Sequence, residues 1–211
     1  MKLCEPSKLG ETHVIHRRHM VAGLGAFAAG APALAASTPF RPLFDGKTLD
    51  GWDQVGVANW TIKDGVLSAD KGKGDGTAGF LLTKADYRDF DLRAELWVSE
   101  EANSGIFIRC TNRTDITSTN AYEVNIFDTR PDPAYGTGGI VGVAKVAPPM
   151  PKAGGKWSVM RIIAQGDAFT VIFDDQKTVD GARDAKLATG GIALQYVTGT
   201  VRFRRVDIRT L

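Results

Sequence analysis

The segment Phe90-Asp91-Leu92-Arg93-Ala94-Glu95-Leu96-Trp97-Val98 alternates, from Asp91 on, between residues suited to a core and polar or amphipathic ones. Only an extended chain sends successive side chains to opposite faces, so this run fits a half-buried strand and not a helix. Further runs of similar character follow Pro39, at 60–63, 66–68, 79–83, 105–110, 122–127, 157–164, 169–173, 192–196 and 201–209. No longer window beyond residue 36 carries apolar residues at helical spacing. Asp64-Gly65 and Asp174-Asp175 sit between neighbouring runs and predict hairpin turns. Many short strands with turn signals between them predict an all-β sandwich or barrel. Two long connections, 111–121 and 129–151, read either as functional rims or as ordinary loops.

Residues 1–36 stand apart. Arg17-Arg18 precede an uncharged run of small and apolar residues, 20–31, and then Ala33-Leu34-Ala35-Ala36. A basic start, an apolar stretch and an A-x-A site together predict an export signal cleaved near Ala35, and the arginine pair makes it twin-arginine in type. The expectation is a periplasmic protein with one domain over 37–211. A membrane anchor is the rival reading, but the apolar run falls short of the ~20 residues that cross a bilayer. No membrane span is expected in the mature protein.

Removing that segment changes the chemistry available. The chain has 26 Lys and Arg against 24 Asp and Glu, and residues 1–35 hold the whole surplus. A neutral remainder offers no footprint for nucleic acid, so that partner is not expected. Cys4 leaves with the signal. Cys110 stays alone, and its parity with Ile106 and Ile108 reads as an inert buried thiol. His13, His16 and His19 are the only histidines, and all precede Ala35. Ser-His-Asp and Cys-His catalysis and His-ligated metals are thereby excluded, which leaves Asp, Glu, Lys or Tyr as a general base.

Alternation also sorts the strand faces. Leu92, Ala94, Leu96 and Val98 oppose Asp91, Arg93, Glu95 and Trp97. Ile106 and Ile108 oppose Phe107 and Arg109; Tyr122, Val124 and Ile126 oppose Glu123, Asn125 and Phe127; Ile192 and Leu194 oppose Ala193 and Gln195. The faces turned from the core therefore collect Glu95, Trp97, Phe107, Arg109, Glu123, Asn125 and Gln195. Aromatic rings cover the C–H side of a sugar, while amides, Arg and carboxylates pair with its hydroxyls. A carbohydrate is the partner this set suits, provided the residues converge in one hollow. The plain alternative is a solvated face with scattered rings. Trp52, Trp60 and Trp157 read as core anchors.

Phe40-Arg41-Pro42-Leu43-Phe44-Asp45-Gly46-Lys47-Thr48-Leu49-Asp50-Gly51-Trp52 resembles the opening signature of the 3-keto-disaccharide hydrolase domain. Further similar motifs follow in order: Tyr87-Arg88-Asp89-Phe90-Asp91-Leu92-Arg93, Asn103-Ser104-Gly105-Ile106-Phe107-Ile108-Arg109, Tyr122-Glu123-Val124-Asn125-Ile126-Phe127-Asp128 and Gly191-Ile192-Ala193-Leu194-Gln195. The likeness spans almost the whole expected mature chain. It implies a concanavalin A-like jelly-roll β-sandwich of two antiparallel sheets with a concave sugar-binding face, and activity on 3-keto-glycosides. Two motifs depart from the family's pattern. Gln195 is followed by Tyr196-Val197-Thr198-Gly199 instead of His-Gly, and Gly139-Ile140-Val141-Gly142 lacks the family's tyrosine.

A 3-ketone acidifies the C2 proton, so its removal expels the C1 substituent and water then adds to the enone. That chemistry needs a base at C2, positive charge at O3 and help for the leaving oxygen. Glu123 is the expected base, Arg109 the donor to O3, and Asp128 or Glu95 the group at the leaving oxygen. Glu95, Trp97, Asn103, Phe107, Asn125 and Gln195 are the expected sugar contacts. A structural Arg109–Glu123 salt bridge is the bland reading of that pair. Two functional alternatives remain: a non-catalytic carbohydrate-binding module, and a glucanase using Glu123 and Asp128, which needs a strand bulge. No cofactor is expected. A Ca²⁺ site built from Asp128, Asp132 and loop carbonyls competes with a simple surface turn.

Overall fold

The computed structural model describes residues 38–70 and 77–211. The expected export segment, 1–36, lies outside the described residues. Thirteen strands form among the described residues: β1 (Arg41–Phe44), β2 (Trp52–Val55), β3 (Asn59–Lys63), β4 (Val66–Asp70), β5 (Gly79–Thr83), β6 (Phe90–Val98), β7 (Asn103–Cys110), β8 (Tyr122–Ile126), β9 (Trp157–Gln165), β10 (Ala168–Phe173), β11 (Gln176–Arg183), β12 (Gly191–Thr198) and β13 (Val201–Thr210). They make an eight-stranded sheet in the order β11-β10-β9-β6-β13-β4-β3, with β1 added on β13, and a five-stranded sheet in the order β2-β5-β12-β7-β8. Every ladder is antiparallel. This is the expected two-sheet sandwich.

The predicted turns close as hairpins. Lys63 pairs with Val66 across Asp64 and Gly65, whose φ angles of 52° and 78° match a turn with both central residues left-handed. Phe173 pairs with Gln176 across Asp174-Asp175. The sequence pattern did not mark β1 or β2, and it implied β11 only as the strand after the Asp174-Asp175 turn. β1 and β2 have four residues each, β1 contains Pro42, and β11 is polar and largely open on the sheet edge.

The core follows the period of two. Leu92, Ala94, Leu96 and Val98 from β6 share one buried cluster with Ile106, Ile108, Val124, Ile126, Ile192 and Leu194 from the other sheet. Each large side chain buried this way contributes roughly 1.5–3 kcal/mol. A second apolar cluster lies on the outer face of the five-stranded sheet, where Phe80, Leu82, Phe107 and Ala193 gather with Cys110, Ile116 and Ala121. The 111–121 loop supplies Ile116, so it packs on that face.

Two sequence readings need correction here. Arg109 has φ 54°, and this left-handed residue breaks the alternation of β7. Cys110 therefore joins Phe107 and not Ile106 and Ile108, although it is buried as expected. Trp52 and Trp60 contact the main core, but Trp157 sits beside Trp97 on the outer face of the eight-stranded sheet, with the Arg204 guanidinium 4.4 Å from its ring.

Candidate functional site

Strands β12, β7 and β8 lie side by side, and their registers align Gln195, Gly105 and Asn125 in one row. Ala193, Phe107 and Glu123 form the next row. Parity turns both rows away from the main core. Gly105 leaves the middle of its row empty. A Cβ at that position would lie 3.2 Å from Gln195 Oε1 and 3.5 Å from Glu123 Cγ. The glycine thus makes a small gap walled by an amide and a carboxylate.

The walls carry unmatched acceptors. Asn125 is 0% exposed and Gln195 7%. Asn125 Nδ2 donates to the Tyr135 carbonyl oxygen at 2.7 Å, yet Asn125 Oδ1 and Gln195 Oε1 accept nothing from the described residues. An unmet buried acceptor costs about 1–3 kcal/mol, so two in one place mark a spot where a hydroxyl donor fits. Glu123 is half-buried, and burial pushes its carboxyl pKa up while the charge of Arg130 pulls it down. Asn103 opens β7 with the parity of Gly105 and is also half-buried. Its backbone N–H donates to Thr198 Oγ1 at 3.2 Å.

The loop after β8 flanks the hollow. Val141 N donates to the Glu123 carbonyl at 2.9 Å, and Gly138 N to the Asn125 carbonyl at 2.9 Å. Val141, in the motif that lacks the family's tyrosine, is therefore tied to the backbone of Glu123. At the other end of the face, Phe107 meets Phe80 edge-on with ring centroids 5.2 Å apart. Phe107 is buried, so it borders the hollow as packing and offers no open ring.

Other expected members are elsewhere. Glu95 and Trp97 belong to β6, in the opposite sheet, where Glu95 pairs with Arg204 and the Arg202 guanidinium lies 4.6 Å from the Trp97 ring. Period-two parity assigns a face but not a sheet, which is why they were grouped with Glu123. Arg109 is 1% exposed and turns into the interior. Its Nη2 donates to the Arg88 carbonyl at 2.8 Å, its Nη1 to the Leu187 carbonyl at 2.9 Å, and the guanidinium lies 5.0 Å from the Phe169 ring. With its donors used on carbonyls, it is neither the O3 donor nor a partner of Glu123.

Asp128 lies beyond the end of β8 and accepts from Thr137 Oγ1 at 2.6 Å and from Ala153 N and Gly154 N, each at 2.9 Å. It pins two loops together. β8 ends at Ile126, and Asp128 is committed to the Thr137 hydroxyl and the Ala153 and Gly154 amides instead of joining Glu123 on the strand face as a glucanase-like pair. Asp132 accepts from Ala134 N at 3.2 Å and caps a short 3-10 turn, Pro133–Tyr135. These contacts describe a turn. Among the described residues no cluster of three or more His, Cys, Asp or Glu is placed to hold a metal. Gly105 and Arg130 are the members not anticipated; a glycine inside an alternating strand was the available signal for the first.

A two-sheet sandwich with polar groups gathered on one outer face defines a class met among carbohydrate-active proteins. A protein of Parabacteroides distasonis provisionally described as a glycosyl hydrolase is 27% identical, with TM-score 0.67 over 82% of this chain and 100% of that one. The carbohydrate-binding module CBM66 of Bacillus subtilis shares the fold at 20% identity, with TM-score 0.58 over 76% of this chain and 96% of the module. The chain belongs to the 3-keto-alpha-glucoside-1,2-lyase-like domain family, which it matches over residues 39–209. A curated relative, the 3-keto-disaccharide hydrolase of Bacteroides thetaiotaomicron, is 38% identical over 73 residues, or 31% of this chain. That stretch spans a quarter of the relative's length.

Proposed function

We propose that this domain cleaves the glycosidic bond of 3-keto-glycosides, by elimination followed by hydration, in the hollow around Gly105. The observation that carries the reading is the grouping of a burial-perturbed carboxylate, Glu123, with two unmatched amide oxygens beside a gap in the strand surface. Glu123 takes the C2 proton. The C2–H electron pair forms the C2=C3 bond of an O3 enolate; the enolate then reforms the C3 ketone as that pair moves to C1=C2 and the C1–O bond breaks, and the departing oxygen takes the proton now held by Glu123. Water then adds across the enone, its oxygen to C1 and its hydrogen to C2. Gln195 Oε1 and Asn125 Oδ1 accept from sugar hydroxyls, and Arg130 takes over the positive charge once assigned to Arg109. A raised carboxyl pKa strengthens Glu123 as a base once it is ionised. Family membership supports the 3-keto-sugar as substrate class.

The second reading is a binding module without turnover, favoured by the inward turn of Arg109. Incubating the protein with a 3-keto-glucoside and following aglycone release separates the two. Release supports the enzyme; sugar binding with no release makes the domain a module, and neither one rejects the site.

A further inference from the structure

We propose that the outer face of the eight-stranded sheet is a second carbohydrate-binding surface, whose occupant is a polysaccharide bearing carboxylates, a polyuronate. On the central strands of this face, β6, β9 and β13, six arginines gather, Arg93, Arg161, Arg202, Arg204, Arg205 and Arg209, against three acids. The acids lie low and are already engaged. Asp91 is buried and accepts from Arg161 at 2.7 and 2.8 Å and from Arg209 at 3.0 Å; Glu95 pairs with Arg204, and Asp207 with Arg205. Arg93 and Arg202 are exposed and have no carboxylate partner among the described residues. Each guanidinium is instead held near an aromatic ring, Arg93 4.2 Å from Phe40 and Arg202 4.6 Å from Trp97. Cation–π contact fixes such groups without using their donor forks, which leaves two preorganised carboxylate receptors. The bidentate pair of hydrogen bonds from Arg161 to Asp91 shows the geometry they offer.

The receptors are spaced for a chain. Arg202 pairs with Trp97, four residues along β6 from Arg93, so strand geometry sets them roughly 14 Å apart. A hollow of about 280 Å³ opens beside Arg93, lined by Phe40, Arg93, Glu95, Val159, Arg205 and Asp207. Glu95 and Asp207 keep lone pairs beyond those their arginines use, so the hollow presents carboxylate acceptors together with guanidinium donors. Sugar hydroxyls both donate and accept and so match it, whereas phosphates and the carboxylates of an acidic peptide only accept. A uronate polymer alone among these supplies hydroxyls for the hollow and carboxylates for Arg93 and Arg202. The charge balance beyond residue 35 also lacks the broad positive field that nucleic acid favours.

Affinity electrophoresis of the whole protein through polygalacturonate tests this independently of Glu123. Polygalacturonate should retard the protein, increasingly so as salt falls, while neutral amylose should not. The Arg93→Ala/Arg202→Ala double variant should bind about tenfold more weakly with an unchanged melting temperature and unchanged activity on a 3-keto-glucoside. Arg202→Lys, which keeps charge but loses the fork, should fall between. No retardation, equal retardation by amylose, tighter binding of a single-stranded RNA at the same salt, or wild-type behaviour of the double variant would each overturn the proposal.

Discussion

Asp91, 1% exposed on the outer face of the eight-stranded sheet, holds both Arg161 and Arg209. Asn125 and Gln195, comparably buried on the other outer face, each keep an oxygen without a donor among the described residues. Both faces are built on strands with the same alternation, so the difference lies in the neighbours. On the eight-stranded sheet, β13 brings charges of opposite sign across from β6, with Arg209 facing Asp91 and Arg205 facing Glu95. On the five-stranded sheet, the middle position of the row is a glycine, and nothing local can answer the amides. The buried carboxylate of one face is therefore matched within the protein, while the buried amides of the other are left incomplete beside a carboxylate.

Substitutions on each side should sharpen that contrast. The largest effect is expected from Glu123→Gln, which should slow aglycone release from a 3-keto-glucoside at least ~100-fold while leaving the circular dichroism spectrum unchanged. Asp91→Ala should do the opposite. It strands two arginines and should cost about 3 kcal/mol of stability in urea unfolding, with turnover by the remaining folded protein preserved. Gly105→Ala should weaken sugar binding about tenfold by calorimetry, because the added Cβ would crowd Gln195 Oε1. Its stability cost should stay near ~1 kcal/mol, the low end for overpacking.

A smaller effect concerns pH. Burial raises the Glu123 carboxyl pKa, so the native state holds that proton more tightly than the unfolded chain does. Stability should therefore fall as pH rises from the ordinary carboxylate range through the raised value, then level off. Glu123→Gln should flatten this part of a urea-unfolding pH series. Last, the Cys110 thiol is buried with its pKa pushed up to about 12. It should resist a thiol reagent at pH 8 in the native protein and react on unfolding.

The sandwich was legible because a period of two over 90–98, repeated in further runs, leaves few other folds. Face assignment was legible where the alternation runs unbroken: Glu123, Asn125 and Gln195 all point away from the main core as expected. What alternation cannot carry is which sheet a strand joins, and this separated Glu95 and Trp97 from Glu123. Nor can it foresee a left-handed residue. One positive φ at Arg109 turned its guanidinium toward the carbonyls of Arg88 and Leu187 and moved Cys110 to the opposite face. Arg130 lies in a loop without periodicity, where spacing gives no hint of proximity to Glu123.

The central claim concerns where the sugar sits, and a crystal structure of the Glu123→Gln variant soaked with a 3-keto-glucoside tests it most directly. The account predicts C2 of the sugar beside residue 123, with its hydroxyls donating to Gln195 Oε1 and Asn125 Oδ1 across the gap at Gly105. A sugar ordered elsewhere, with those two oxygens still unmatched, would contradict it.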